Sequence, residues 1–406
     1  MNVLVSAYAC EPNKGSEPSV GWNWVTNMSK NNKMFVVTRE NNKENIETES
    51  IENIEFYYYD LPKVFKKLKK ITKSTILYYY LWQFGAYREA KRIINKNKID
   101  IAHHVTFANF KVFSFLALFD IPYILGPVGG GERSPYNLYN LFTKKQLIKE
   151  IFRDIDILLC RFNPLTRLTW KKAKKILVTT NETKNKIPKK YREKVEVMQA
   201  IGIEEDLLNS LENQPKIVNT NKLNIGYVGN LLELKGIDIL IDSFYKYHKY
   251  KNSNSVLTII GDGPGKSKIK NKIRNYNIES SINFLGRVSR EEAMTEIKDF
   301  DIFVFPSLHD SGALAVLEAM ANNIPVIVLN LGGPGNNVNS DIGIVIEPKN
   351  YDYIVEEIAA SIDYIYNDKD ECIKMCQKAN MYLRDNFTWS KKAKKMNILY
   401  KMIYEN

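Results

Sequence analysis

In the stretch HDSGALAVLE (309–318), Asp310 and Glu318 stand on either side of the small-residue turn Ser311-Gly312-Ala313. The apolar run DIFVFPS (301–307) precedes the turn, and a helical pattern begins at Leu314. Strand, tight turn and helix are the arrangement in which α/β proteins offer backbone N–H groups to a phosphate. Two carboxylates in that place would repel a phosphate. They suit a sugar instead, because a carboxylate accepts from vicinal hydroxyls in charge-assisted bonds stronger than neutral ones. The alternatives are structural: a helix N-cap for Asp310 and a buried acid for Glu318. His309 is placed to donate to the same sugar. His103 and His104 close another apolar run, DIAHHV. One of an adjacent pair on a strand faces the core, so only one is expected to be functional, and His104 is the choice over a hydrogen-bonded structural histidine.

The elements that must hold these residues are legible as short β-branched runs separated by helix-length spacers. In the first half they are 2–9, 34–38, 54–60, 100–105, 123–128, 175–180 and 195–200; in the second, 223–230, 256–263, 282–288, 301–307, 325–332 and 343–348. Such alternation predicts parallel sheets built from right-handed βαβ units. The polar stretch NSLENQPKIVNTNK (209–222) separates the two sets and reads as a linker. The expected architecture is α/β: two doubly wound, Rossmann-like parallel-sheet domains facing each other across a cleft. The expected bounds are 1–205 for the first domain, 206–222 for the linker, 223–380 for the second domain, and 381–406 for a C-terminal helix returning to the first domain. Ligands in such sheets bind at the carboxyl ends of the strands. The glycine-rich segments KGSEPSVGW, GPVGGGE, GNLLELKG, GDGPG and LGGPG fall at those ends.

The chain has 406 residues, enough for two domains of roughly 200 residues each. At 44% hydrophobic and 26% charged, its composition is that of a globular protein. The opening MNVLVSAYACEPNKG lacks a basic n-region, so no signal peptide is expected. The longest apolar candidate, 110–126, is interrupted by Lys111 and Asp120, so no spanning helix follows from it. Four scattered cysteines suit a reducing cytoplasm, and Cys372 with Cys376 reads as an inert helix face, not a metal site. The net charge of +12 is uneven: residues 1–205 hold 34 Lys/Arg against 21 Asp/Glu, whereas the rest hold 24 against 25. That asymmetry points the first half toward an anionic partner.

The motifs GNLLELKG, IIGDGPG, FLGRV, FPSLHDSGALAVLEAM and LGGPG, in this order and spacing, resemble the retaining family 4 glycosyltransferases, which have the GT-B fold. ACEPNKGSEPSVGWNW and HHVT…GPVGGGE look like a bacterial polysaccharide and lipopolysaccharide branch of that family. The resemblance implies a hexosyltransferase that uses a nucleotide-sugar donor, with no cofactor and no metal. By it, 310–318 is the E-x7-E motif with Asp310 in place of the first glutamate. The first acid contacts the donor sugar, Glu318 holds the ribose, and the turn amides of Ser311, Gly312, Ala313 and Leu314 meet the phosphates. Lys235 matches the diphosphate-binding lysine, a cation where charge builds on the leaving group. Gly332 and Gly333 approach the phosphates from the next strand, and the backbone at Val288 contacts the base. The family commonly has an arginine where this chain has Asn230. The missing charge has to come from elsewhere, and Arg287 is the nearest candidate by motif position.

On the acceptor side the resemblance implies the loop Gly15, Ser16, Glu17 to Gly21, together with His103, Gly129 and Gly130. The expected acceptor is a lipid-linked glycan, and the expected location is the cytoplasm, on the inner face of the cell membrane. Residues 61–98 hold eleven Lys/Arg against one Glu, with Leu61, Val64, Phe65, Leu68 and Ile71 at helical spacing and LYYYLWQF following. A basic, amphipathic, aromatic-flanked segment predicts a helix lying on anionic lipid; the alternative is an apolar stripe packed on its own domain. Three other functions would leave different marks. An oxidoreductase needs G-x-G-x-x-G opening the first helix, and neither half has it. A basic nucleic-acid-binding protein lacks any recognition motif, so no nucleic acid is expected. A degenerate subunit that binds nucleotide sugar without transfer is raised by Asn230 and Asp310.

Overall fold

The computed structural model describes residues 1–15, 17–62, 64–65, 75–209 and 222–405. The chain forms two compact units. The first comprises Met1–Gly131, Asp154–Ala200 and Trp389–Asn406; the second comprises Glu132–Arg153 and Ile201–Thr388.

The first unit is built on a seven-stranded sheet of β1 (Asn2–Ala7), β2 (Lys33–Arg39), β3 (Ile54–Tyr59), β4 (Ile101–Thr106), β5 (Tyr123–Val128), β6 (Lys175–Val178) and β7 (Val195–Val197). Their order is β3-β2-β1-β4-β5-β6-β7, every pair parallel. Alternate residues of β1 enter different cores, Leu4 on one face and Val3 with Val5 on the other. A strand covered by helices on both faces must be apolar throughout, which is why these runs read as nearly continuous.

The second unit repeats the plan with six parallel strands: β8 (Leu223–Val228), β9 (Ser255–Ile260), β10 (Ile282–Gly286), β11 (Ile302–Phe305), β12 (Val326–Leu329) and β13 (Ile344–Ile346). The order is β10-β9-β8-β11-β12-β13, with Ile302 beside Ile225 and Phe303 beside Gly226. Strand order therefore reverses between β8 and β11. In an open parallel sheet the crevice at such a reversal is where a ligand fits. The loops that leave these two strands, 229–236 and 306–313, carry Lys235 and Asp310.

The units differ from the expected bounds. Residues 132–153 lie within 1–205 but belong to the second unit, because Leu138 and Phe142 are buried in its core. Hydrogen bonds hold the same segment: Thr143 N and Oγ1 donate to the Glu233 carboxylate at 2.8 and 2.9 Å, and Asn137 Nδ2 donates to Pro348 O at 3.0 Å. The second unit resumes at Ile201, and residues 206–209 end the helix Glu205–Asn209, so the described part of 206–222 is not all linker. Residues 210–221 lie outside the described residues. At the C-terminus the first unit takes the chain from Trp389 onward, while 381–388 stay with the second. Trp389 packs edge-on against Trp24 with ring centroids 5.8 Å apart, and the buried Lys392 donates to Gln199 O at 2.8 Å.

The aromatic run after the basic segment is also placed differently. In the helix Thr75–Lys96, Tyr78, Tyr79 and Trp82 are buried, and Tyr79 and Trp82 pack on Tyr8 at 5.2 and 5.1 Å. Trp82 Nε1 donates to Tyr59 O at 2.9 Å, and Leu61 is buried as well. Tyr78, Tyr79 and Trp82 thus belong to the domain core, whereas Leu77 and Phe84 of the same run are exposed. Lys66, Lys67, Leu68, Lys69, Lys70 and Ile71 lie outside the described residues. No helix among the described residues is long and apolar enough to cross a membrane. All four cysteines are buried thiols.

Candidate functional site

Three strand-end loops of the second unit are bound backbone to backbone. Leu308 N donates to Leu234 O at 2.9 Å, which lays the 229–236 loop on the 306–313 loop. Gly236 has φ +66°, and a Cβ there would stand 1.9 Å from Pro306 O, so only glycine permits this approach. The third loop follows β12: Gly333 N donates to Asp310 O at 2.7 Å, and a Cβ on Gly333 would stand 2.6 Å from Gly312 N. Loops locked in this way aim Lys235 at Asp310. Its Nζ pairs with Asp310 Oδ2 and donates to His309 O at 3.2 Å.

The other oxygen of Asp310 accepts from the amides of Gly312 and Ala313, each at 2.9 Å. Ala313 has φ +59° and leads into the helix Leu314–Ala321. Two of the turn amides expected at a phosphate are thus joined to the aspartate, in a turn ahead of the helix. The helix N-cap is Ala313, without a side-chain cap bond, so Asp310 is not the N-cap of the structural alternative. Burial raises the Asp310 carboxyl, but the Lys235 ammonium and the two amides outweigh it and hold the group below its ordinary value. Asp310 is therefore an anion already matched by a cation.

Glu318 lies one turn into that helix and is buried. Its Oε1 accepts from Arg290 Nη2 at 2.9 Å. Burial pushes the carboxyl up, and Arg290 opposes the shift. Arg290 opens the helix Arg290–Ile297, whose start is set by a capping box between Ser289 and Glu292. The S-x-x-E signal after GRV was available in the sequence; its use in aligning Arg290 with Glu318 was not.

One further residue escaped the sequence reading. Arg153 Nη1 donates to both oxygens of the buried Glu150 at 2.7 Å and lies 3.3 Å from His309 Nδ1. The second unit thus brings a second cation to the 309–310 turn from a helix 156 residues away in sequence. Arg287, the expected substitute for the missing arginine, is exposed. Its charge acts on Asp262, whose carboxyl is held down first by the Gly263 amide and then by Lys266. Asn230 is exposed and its carbonyl accepts from Leu232 N at 2.9 Å. Val288 is half-buried against the core, and Gly332 lies near Glu132, whose Cγ would be 3.5 Å from a Cβ on that glycine.

The first-unit candidates form a separate group. His104 is fully buried; Nε2 donates to Phe107 O and Nδ1 accepts from Ser114 Oγ, both at 3.1 Å. His103 is equally buried, donating to Gly126 O and accepting from the Tyr400 hydroxyl, both at 2.6 Å. Burial lowers both imidazoles to about 4. The structure differs here from the expectation for His104. Both faces of β4 are covered, so neither histidine turns outward, and each serves as a neutral hydrogen-bonding post. Glu17 accepts from Ala108 N, and burial raises its carboxyl. Gly21 packs its helix on the β1 end, where a Cβ would meet Ala9 O at 2.0 Å. Gly129 exchanges backbone bonds with Ala108 and Phe110 at 3.1 Å, and Gly130 follows at φ +93°. Gly15 is exposed, and Ser16 lies outside the described residues.

Residues 210–382, which contain the Lys235–Asp310 site, match the family model described as Glycosyl transferases group 1. Protein CapJ of Staphylococcus aureus is 29% identical over 144 residues, 35% of this chain and 36% of that protein. The uncharacterized glycosyltransferase MJ1069 of Methanocaldococcus jannaschii is 25% identical over 274 residues, covering 66% of this chain and 63% of that protein. The chain thus spans less than two thirds of the length of these curated relatives. Among solved structures, a glycosyltransferase from Rickettsia africae superposes with a TM-score of 0.66 at 16% identity, over 100% of this chain and 99% of that one. Anabaena HepE, solved with UDP and glucose, gives 0.63 at 14% identity over 98% and 99%. WaaG, a glycosyltransferase involved in lipopolysaccharide biosynthesis, gives 0.62 at 14% identity over 97% and 99%. The fold is that of the GT-B glycosyltransferases.

Proposed function

We propose that the protein is a retaining, metal-independent family 4 glycosyltransferase that moves a hexose from a UDP- or GDP-sugar to a lipid-linked glycan in bacterial surface polysaccharide synthesis. Its place of work would be the cytoplasmic face of the cell membrane. One observation carries the reading: Lys235 and Asp310 form an ion pair on the backbone-locked loops at the β8/β11 reversal, inside the segment that matches the group 1 family model. The UDP complex of HepE supports a nucleotide-sugar donor.

In this reading the diphosphate takes over Lys235 and the amides of Gly312 and Ala313, and the Asp310 carboxylate turns to the sugar hydroxyls. Glu318 holds the ribose, oriented by Arg290. Lys235 offsets the charge that develops on the leaving diphosphate, a stabilisation strongest where water is excluded. The leaving phosphate takes the acceptor's proton, so no side chain is required as general base. The loops at 15–21 and 129–130 are assigned to the acceptor.

A thermal-shift screen with UDP- and GDP-hexoses tests the reading. A donor that binds only the folded chain must raise the melting temperature, by mass action. If no nucleotide sugar shifts it and none is turned over to free nucleoside diphosphate, the assignment is wrong.

A further inference from the structure

The helix Lys144–Leu159 has its apolar face on the wrong side for a globular protein. Ile148, Ile151, Phe152, Ile155, Leu158 and Leu159 are all exposed, and so is Phe162 just beyond the helix, at 70%. At about 100° per residue these positions fall within an arc of roughly 120°, a single stripe. The opposite side carries Glu150, buried and bonded by Arg153, with Ile157 and Cys160. Large apolar side chains in one continuous exposed stripe mark a surface that something covers.

We propose that this stripe is the surface by which the protein sits on an anionic lipid bilayer. The inference rests on the lipid-linked acceptor of the reading above and names the part of the chain that meets the membrane. Charge selects the occupant. From Lys144 to Lys175 the chain has ten Lys/Arg and three Asp/Glu. Two of those acids are matched, Glu150 by Arg153 and Asp156 by Lys111, and two of the cations are paired, Arg153 with Glu150 and Lys175 with Glu196. Past Phe162 the chain enters the helix Pro164–Lys172, where Arg167 and Lys171 join Lys190, Leu168 and Tyr191 in lining an open groove of about 510 Å³. An apolar stripe with cations beside it matches acyl chains below phosphate headgroups, and the helix would lie in the interface plane. A second copy of the chain would set the same cations against one another. In the described part of the segment 61–98, Tyr78, Tyr79 and Trp82 are consumed by the core, while Val64, Ile76, Leu77 and Phe84 are exposed without forming so long a continuous stripe.

The test is co-sedimentation of the full chain with phosphatidylcholine vesicles and with vesicles containing phosphatidylglycerol, at low and high salt. The wild type should bind only the anionic vesicles and release as salt rises. The triple variant Phe152→Ser, Leu159→Ser, Phe162→Ser changes exposed residues only and should bind at least tenfold more weakly, with an unchanged circular dichroism spectrum. Changing Lys144, Lys145 and Lys171 to Gln should weaken binding and flatten its salt dependence. Wild-type protein that ignores anionic vesicles at low salt overturns the proposal, and so does a triple variant that binds as wild type. A wild-type dimer in analytical ultracentrifugation that the triple variant dissolves would assign the stripe to a second copy and overturn it as well. Calorimetry with nucleotide sugars on the same samples separates the two readings: vesicle binding without any donor binding sinks the enzymatic function and leaves the surface standing.

Discussion

Asp310 is held from two sides, by Lys235 through one oxygen and by the Gly312 and Ala313 amides through the other. Removing the lysine leaves a mostly buried carboxylate without its cation and, in the proposed reaction, would leave the diphosphate without its counter-charge. Lys235→Ala and Glu318→Ala are each expected to lower transfer at least tenfold, since a charge-assisted bond is worth about 1.5–3 kcal/mol; steady-state rates with folding checked by circular dichroism measure it. Asn230→Arg adds back the cation of related sites and is expected to tighten nucleoside diphosphate binding in calorimetry. Unchanged binding would point to Arg153, already beside His309, as the group in that role. The buried histidines give a pH prediction. In the unfolded chain each takes up a proton as pH falls through about 6.5, whereas the folded chain resists until about 4. Their neutral burial is therefore no penalty above pH 6.5, and stability is lost as pH falls from 6.5 to 4. The slope is about 1.4 kcal/mol per pH unit for each histidine. All five tryptophans lie in the first unit, so urea unfolding followed by tryptophan fluorescence reads it there. His104→Gln should reduce the slope by about one proton.

The segment Glu132–Arg153 is the element that most changes the picture of the fold. It leaves the first unit after Gly131, buries Leu138 and Phe142 in the second core, and delivers Arg153 to the 309–310 turn. Leu138 is fully buried. Leu138→Ala should destabilise the second unit by about 2–5 kcal/mol, the range for a truncated core leucine, and by loosening the segment should also weaken nucleoside diphosphate binding. Differential scanning calorimetry with and without nucleotide reads both. A variant that loses stability but binds as wild type would show that Arg153 is held in place by Glu150 alone.

For the whole molecule, the phosphate charge in the proposed reaction would be met by Lys235 and the amides of Gly312 and Ala313. Transfer is accordingly expected to survive EDTA. Loss of activity on chelation, restored by magnesium or manganese, would require a metal site that these groups do not describe. The placement of the tryptophans also separates the two units in solution. A nucleotide sugar bound at the β8/β11 reversal should raise the calorimetric transition of the second unit directly, while the tryptophan signal reports only the first.

The parallel-sheet plan was legible because it is written locally. Each β-branched run is bounded by turn residues, and the thirteen runs correspond to thirteen strands among the described residues, in two sheets that reverse at β1/β4 and β8/β11. The loops with Lys235, Asp310 and Gly333 were legible as strand-end turns, because glycines there permit close backbone approach; the structure shows that approach between the loops themselves. What the tertiary structure decided was partnership. An apolar pattern states that Leu138 or Trp82 must be buried without stating in which core, so the 132–153 segment and the rings of Tyr78, Tyr79 and Trp82 lie in surroundings other than those expected. Alternation along β4 places His103 and His104 on opposite faces but does not reveal that both faces are covered. Arg290 with Glu318, and Arg153 with His309, are pairs set by backbone packing over 28 and 156 residues. Such contacts depend on how whole elements stack, and no local spacing encodes them.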